Sequence, residues 1–179
     1  MLYKSFVCHY SPVLKAAFNS DFVEGQTQTY NLESTTEDAF VLFSEWIYTQ
    51  RIEDDGDGSR GVTGASLADL WILAEQLLIP RLQNVAIDMT EHLAQTRNKL
   101  WLSQLQKVWD NTSTDSPLRR FFIHHCAWSL DKNMFIIHAE AFPREMLLSL
   151  AFYNRGIVET SAKCSRNMAD FHVKEDDKV

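Results

Sequence analysis

Glycine and proline are scarce in this chain, at 6 and 4 of 179 residues. That scarcity excludes disordered or low-complexity sequence over most of its length. Cysteine is rarer still: Cys8, Cys126 and Cys164 are odd in number, far apart and form no CxxC pair, which excludes a disulfide framework and suits a reducing compartment. Long apolar runs are missing, Leu77-Leu78-Ile79-Pro80 being typical of the longest, so no membrane span is expected. The opening Met1–Cys8 stretch reaches polar His9 too soon for a signal-peptide core. Positive charge is also in deficit. Seventeen Lys and Arg against 24 Asp and Glu leave a formal charge of −7, which repels phosphate backbones and disfavours nucleic acid as a partner. The expected setting is intracellular, cytoplasmic or nuclear, with no membrane partner.

What is present is ordinary globular composition, 45% hydrophobic and 12% aromatic, enough for one substantial core and a second small one. Residues 3–8 alternate loosely and include Tyr3, Phe6, Val7 and Cys8, the pattern of a short strand. Ser11-Pro12 then offers an N-cap followed by proline at the first helical position, with Val13, Leu14, Ala17 and Phe18 on one face. Glu24-Gly25-Gln26 marks a turn, and Thr27–Leu32 alternates as a second strand with Tyr30 and Leu32 on one side. Ser34 with Glu37 forms a capping-box pattern ahead of a helix striped by Phe40, Phe43 and Ile47 and widened by Leu42 and Trp46. The acidic stretch Glu53–Gly61 reads as a loop. Ser66 and Asp69 restart helix, with Leu67, Leu70, Trp71, Leu73, Ala74, Leu77 and Leu78 as its apolar face, and Pro80 both ends it and opens the next, which carries Leu82, Val85, Ala86, Met89 and Leu93. Further on, Leu100–Trp109, a helix from Pro117 through Cys126 and a last helix from Phe142-Pro143 are expected, followed from about Arg155 by a polar tail. Two short strands and about seven helices make the expected fold class α+β with helix dominant.

Little in the sequence points to catalysis or to a cofactor. His124-His125-Cys126, with Cys8-His9 or His138, contains metal-ligating residue types, but adjacent helical residues diverge by about 100° and no second ligand pair has finger-like spacing. Asp55-Gly56-Asp57-Gly58-Ser59 resembles the opening of a calcium loop, yet the sixth and twelfth places hold Arg60 and Ser66 where Gly and Glu are needed. Cys8 and His9 are the single nucleophile–base pairing on offer, and neighbours on a strand face opposite ways. No GxSxG, P-loop or GxGxxG occurs. No catalytic, cofactor-binding or metal residue is therefore assigned, and no cofactor is expected. Of the five tryptophans, Trp46, Trp71, Trp101, Trp109 and Trp128, most are expected in cores, with one or two at a rim as partner anchors.

Four ordered blocks carry a resemblance. The run Lys4-Ser5-Phe6-Val7-Cys8-His9-Tyr10-Ser11-Pro12-Val13-Leu14 through Phe18 resembles the second strand and following helix of a BTB/POZ domain. Phe22-x-Glu24-Gly25-Gln26 with Tyr30-x-Leu32, then Ala39-Phe40-x-x-Phe43-x-x-Trp46-Ile47-Tyr48-Thr49, then Leu73-Ala74-Glu75-Gln76-Leu77-Leu78-Ile79-Pro80-Arg81-Leu82-Gln83-Asn84, resemble the same domain in the same order. The run from Ser116-Pro117-Leu118-Arg119-Arg120 to Phe142-Pro143-Arg144-Glu145 is similar to the helical extension of BTB proteins of filamentous fungi. The resemblance implies a BTB/POZ-like helical core with a small sheet over residues 1–96, a helical extension over 97–154, and a polar, disordered tail over 155–179. In the family an opening helix and strand precede the segment matched by Lys4–Cys8, and Tyr3 stands where a histidine is usual. The resemblance thus implies an N-terminally incomplete domain whose sheet lacks its first strand and keeps an uncovered apolar edge.

By the same resemblance the function is a non-catalytic protein–protein interaction module, a substrate adaptor for a cullin-RING ubiquitin ligase or else a self-associating scaffold or degenerate relative. Its partners would be other BTB domains, by homo- or hetero-association, and a BTB-specific cullin. Family cullin binders carry a hydrophobic-x-Glu motif after the helix ending near Tyr48; here Ile52-Glu53-Asp54 has Asp in the third place. Tyr48, Arg51, Ile52 and Glu53 are the residues this assigns to partner contact. No kelch, MATH, zinc-finger or ankyrin segment is present, which leaves substrate choice to the extension or to a hetero-partner.

Overall fold

Side chains that can cap a helix set where helices begin in this chain. The computed structural model describes residues 2–33, 35–54, 56, 61–97, 101–160 and 167–175, with the backbone alone over 156–160. Ser11 Oγ accepts the Leu14 N–H at 3.1 Å, with Pro12 at the first helical position. Thr36 Oγ1 accepts from Ala39 at 3.4 Å, Thr63 and Ser66 cap each other reciprocally, and Asp131 Oδ1 accepts from Met134 at 2.9 Å. Ser34, the expected cap ahead of Glu37, lies outside the described residues.

The chain divides into two compact units, 1–99 with 173–179, and 100–172. The first holds α1 (Lys4–Tyr10), α2 (Pro12–Phe18), α3 (Val23–Thr27), α4 (Glu37–Thr49), α5 (Gly64–Gln76) and α6 (Pro80–Arg97). Its core is Leu42, Phe43, Trp46 and Ile47 of α4 with Leu67, Leu70, Trp71, Leu73 and Ala74 of α5 and Leu82, Ala86, Ile87 and Leu93 of α6. Each fully buried large apolar side chain there contributes about 1.5–3 kcal/mol over its exposed state. Phe40, expected in the stripe of α4, is part-exposed.

The α5–α6 corner closes as a Schellman motif: Leu78 N–H donates to Glu75 O at 3.1 Å and Ile79 N–H to Ala74 O at 2.9 Å. Leu78 occupies the left-handed position at φ 53°, where glycine is the usual choice, and its side chain is 58% exposed. The expected turn at 24–26 is instead part of α3. Gly25 is required there, because a Cβ would meet Ser20 O at 1.8 Å.

The α+β expectation is corrected: among the described residues there is no strand and no sheet. Tyr3 is the N-cap and residues 4–8 fall on α1, where Phe6 and Val7 N–H groups bond Tyr3 O at 3.1 and 3.3 Å and Val7 alone of the helix is buried. The physical reason is local: a strand needs a neighbour for its N–H and C=O groups, whereas one helical turn satisfies them within the segment. Thr27 ends α3, Gln28 is left-handed at φ 54°, and the chain through Leu32 is irregular, Tyr30 resting against the Phe18 ring at 6.4 Å.

The second unit holds a 3₁₀ turn (Leu102–Gln104), α7 (Leu105–Asn111), α8 (Pro117–Ser129), α9 (Lys132–Ile137), α10 (Arg144–Thr160) and 3₁₀ turns at Ala139–Ala141 and Met168–Phe171. Leu105, Val108, Leu118, Phe121, Phe122, Cys126, Met146 and Leu150 are buried. Arg119 organises this unit. Its guanidinium, nearly inaccessible, donates to the carbonyls of Trp109 and Thr112 and, at 3.0 Å, to Thr112 Oγ1. The two carbonyls are groups that the end of α7 leaves without helical partners. Arg119 also sits 5.2 Å from the Trp109 ring centre and 3.3 Å from the carboxylate of exposed Glu145.

A further expectation changes in this unit. The segment from 155, read as a disordered tail, continues α10 to Thr160 and later forms the Met168–Phe171 turn, with Phe171 packed on Phe121 and His124 at 5.7 and 5.2 Å. His124 and His125 are both buried. His125 Nδ1 lies 3.0 Å from Ser129 Oγ, and His124 packs edge-on against Tyr153 and Phe171. No helix among the described residues is long and apolar enough to cross a membrane.

Candidate functional site

Helix α4 ends on a left-handed residue, Gln50 at φ 58°, whose N–H returns to Trp46 O at 2.8 Å. That cap turns the chain sharply and leaves Tyr48, one turn back, at the helix end. Tyr48 is 44% exposed. Its hydroxyl accepts the Tyr3 N–H at 3.1 Å, a donor that precedes α1 and has no helical partner. The rings of Phe6 and Tyr3 meet Tyr48 edge-on at 5.2 and 6.4 Å. Three aromatic rings, of Tyr3 at the cap of α1, Phe6 on α1 and Tyr48 on α4, thus meet one another, all of them substantially exposed. Tyr48 was assigned from sequence; Tyr3 and Phe6 were not, because reading 3–8 as a strand gave no reason to place them beside the end of α4.

Past the cap, Thr49 Oγ1 accepts from Arg51 N at 3.2 Å and donates to Arg51 O at 3.0 Å, holding the chain as it leaves the helix. Residues 51–53 then alternate exposed, buried, exposed, the period of extended chain. Arg51 and Glu53 are at the surface, whereas Ile52 is 6% exposed and belongs to the core. Asp54 is engaged too: Arg97 Nη2 pairs with its Oδ1 at 2.6 Å while Arg97 Nη1 donates to Val62 O at 3.3 Å. The Ile52-Glu53-Asp54 segment is therefore pinned at its first and third residues, and of the four assigned residues the structure brings Tyr48, Arg51 and Glu53 to the surface.

A cavity of about 670 Å³ lies between α1, α2, the 28–32 segment and α4, lined chiefly by Val7, Leu14, Phe18, Tyr30, Phe40 and Phe43. With no sheet among the described residues, the uncovered sheet edge expected from the resemblance is not found.

The chemical candidates disperse. Cys8 and His9 follow each other on α1, Cys8 Sγ facing Leu14 O at 3.9 Å and His9 packing on the Tyr10 ring at 4.7 Å. Burial pushes the Cys126 thiol from 9.0 up to about 12, the opposite of nucleophile activation. No three His, Cys, Asp or Glu side chains among the described residues are placed to hold a metal ion. Asp55 and residues 57–60 of the calcium-like stretch, and Cys164, lie outside the described residues. Compared with known proteins, the chain matches no family model, no curated protein and no solved structure.

Proposed function

We propose that this chain is a non-catalytic protein–protein interaction module of BTB/POZ type, intracellular in the cytoplasm or nucleus, and that it serves as a substrate adaptor for a cullin-RING ubiquitin ligase. The observation that carries the proposal is the rigid, exposed aromatic group Tyr3–Phe6–Tyr48 at the end of α4. Large aromatics with few rotamers to lose are the residues that dominate interface energetics. Arg51 and Glu53 beside it supply charge for orientation.

The quoted blocks support the family part of the reading. Phe43, Trp46, Ile47, Leu73, Ala74, Leu77 and Leu82, drawn from two separated blocks, are buried in one compact unit. Self-association is the second reading, favoured by the apolar cavity beside α1. In either case substrate choice falls to the extension or to a hetero-partner.

The test is a pull-down of the full chain against the N-terminal domain of a BTB-specific cullin, with light scattering on the eluted species. The expected result is a complex of defined stoichiometry that Tyr48→Ala weakens at least about tenfold, the loss of one hot-spot residue. A monodisperse dimer without cullin would favour the scaffold reading. A chain that binds neither itself nor the cullin would overturn both.

A further inference from the structure

Asn84, on α6, is 8% exposed although its carboxamide is polar, and it hydrogen-bonds residues near the far end of the chain. Oδ1 accepts the Val173 N–H at 2.7 Å, and Nδ2 donates to Val173 O at 2.9 Å and to Glu175 Oε1 at 3.0 Å. Both main-chain groups of one residue are thus held by one side chain, the exchange a neighbouring strand would make. His172, just before, is extended at φ −76° and ψ 146°. Recognition through the main chain does not depend on which side chain stands at the clamped position. Around it, Val173 is half-buried, whereas Lys174 and Glu175 are exposed. Asn84 and residues 173–175 belong to the same compact unit.

We infer that this face of α6 is a binding site for an extended peptide segment, occupied in cis by Val173–Glu175. Its ligand class is set by the three bonds: an extended backbone with a free N–H and C=O at the clamped residue and a carboxylate two residues later. The inference does not rest on the family reading, since it concerns α6 and the clamp alone. A segment attached to the same chain competes at an effective concentration in the millimolar range, so the resident tail holds off a free peptide of equal intrinsic affinity. Once the tail leaves, the Asn84 carboxamide loses these three bonds, which another extended backbone can restore.

The test uses the full-length chain and a fluorescein-labelled peptide copying residues 171–177, read by fluorescence anisotropy. Val173→Pro in the chain removes the N–H that Asn84 accepts and opens the site. This variant is expected to bind the peptide at least about tenfold more tightly than the parent chain, by loss of the tethered competitor. Adding Asn84→Ala should abolish that binding, and a peptide with proline at the clamped position should not bind. Equal affinity for the parent and Val173→Pro chains, or binding indifferent to Asn84→Ala, would overturn the inference. A second reading needs no variant: the Val173 amide in the parent chain should exchange at least about tenfold more slowly than in the free peptide. Exchange at the peptide's rate would overturn the inference independently.

Discussion

The two compact units solve the same problem, satisfying polar groups at helix ends, in different ways. In the first, the task is shared among several short side chains. Ser11 caps α2 and its hydroxyl also donates to Leu77 O at 2.7 Å, Thr36 Oγ1 donates to Asp69 at 3.0 Å, and Arg97 holds both Asp54 and Val62. In the second, Arg119 concentrates much of the task at the end of α7, reaching two carbonyls and a hydroxyl together, beside the local ties of Asn111 Nδ2 to Lys107 O and Thr112 Oγ1 to Val108 O. Distributed ties mean that one loss is partial, whereas a single buried cation leaves several acceptors empty at once. The apolar cores contrast as well. The first unit interlocks three long helices, and the second gathers Phe121, Phe122 and Phe171 edge to face.

The largest effect should come from the first unit's core itself. Phe43→Asp places an unpaired carboxylate at a site 1% exposed and should cost about 4 kcal/mol or more, enough to lose cooperative melting by circular dichroism. Wild-type melting of that variant would remove Phe43 from the core. Next, Arg119→Met should cost about 3 kcal/mol, because the carbonyls of Trp109 and Thr112 lose their charged donor. Denaturant unfolding followed by amide exchange in α7 and α8 would read it.

Ser11→Ala should cost less, about 1–2 kcal/mol, since it removes one cap and one carbonyl partner among several. If Ser11→Ala proved costlier than Arg119→Met, the contrast between shared and concentrated ties would fail.

The Cys126 thiol sharpens the comparison through pH. Its folded pKa, raised by burial to about 12, lies above the ordinary 9.0. The folded chain therefore holds the proton that the unfolded chain releases. Its contribution is fully present below pH 9 and falls by about 1.4 kcal/mol per pH unit as pH rises from 9 toward 12. Cys126→Ala should remove that alkaline slope from stability measured against pH, at some cost to packing. An unchanged slope would assign it elsewhere.

The smallest effect belongs to the α5–α6 corner. Leu78→Gly relieves a left-handed φ at an exposed site and should stabilise by about 0.5–1 kcal/mol in denaturant titration. A loss of stability would show that the leucine side chain contributes to packing.

Much of the helical architecture is legible in the residues because its signals are local. Ser11-Pro12 and Pro117 mark starts that the structure keeps, and the α4 stripe is buried at Phe43, Ile47, Leu42 and Trp46 but not at Phe40, while Leu118, Phe121, Phe122 and Cys126 of the helix from Pro117 are buried. The strands at 3–8 and 27–32 were misread because six residues of loose alternation do not distinguish a strand from a short helix with one inward residue, here Val7. Helix α9 was missed since none of its residues is buried, so no stripe announces it; Asp131, its cap, was the available signal.

Contacts distant in sequence were out of reach. Asn84 meets residues 89 and 91 positions away, and nothing in Ile52-Glu53-Asp54 tells that Ile52 turns inward or that Asp54 is matched by Arg97. Tyr48 was found through the resemblance, but its support by Tyr3 and Phe6 depends on α1 being a helix.

The most direct test of the interaction surface is amide hydrogen exchange of the full chain with and without the cullin N-terminal domain at saturating concentration. Added protection should concentrate in the last turn of α4, through Tyr48 to Glu53, and extend into α5 and α6. Protection confined to 101–160, or unchanged exchange throughout a verified complex, would contradict the assignment of the Tyr48 surface as the partner site.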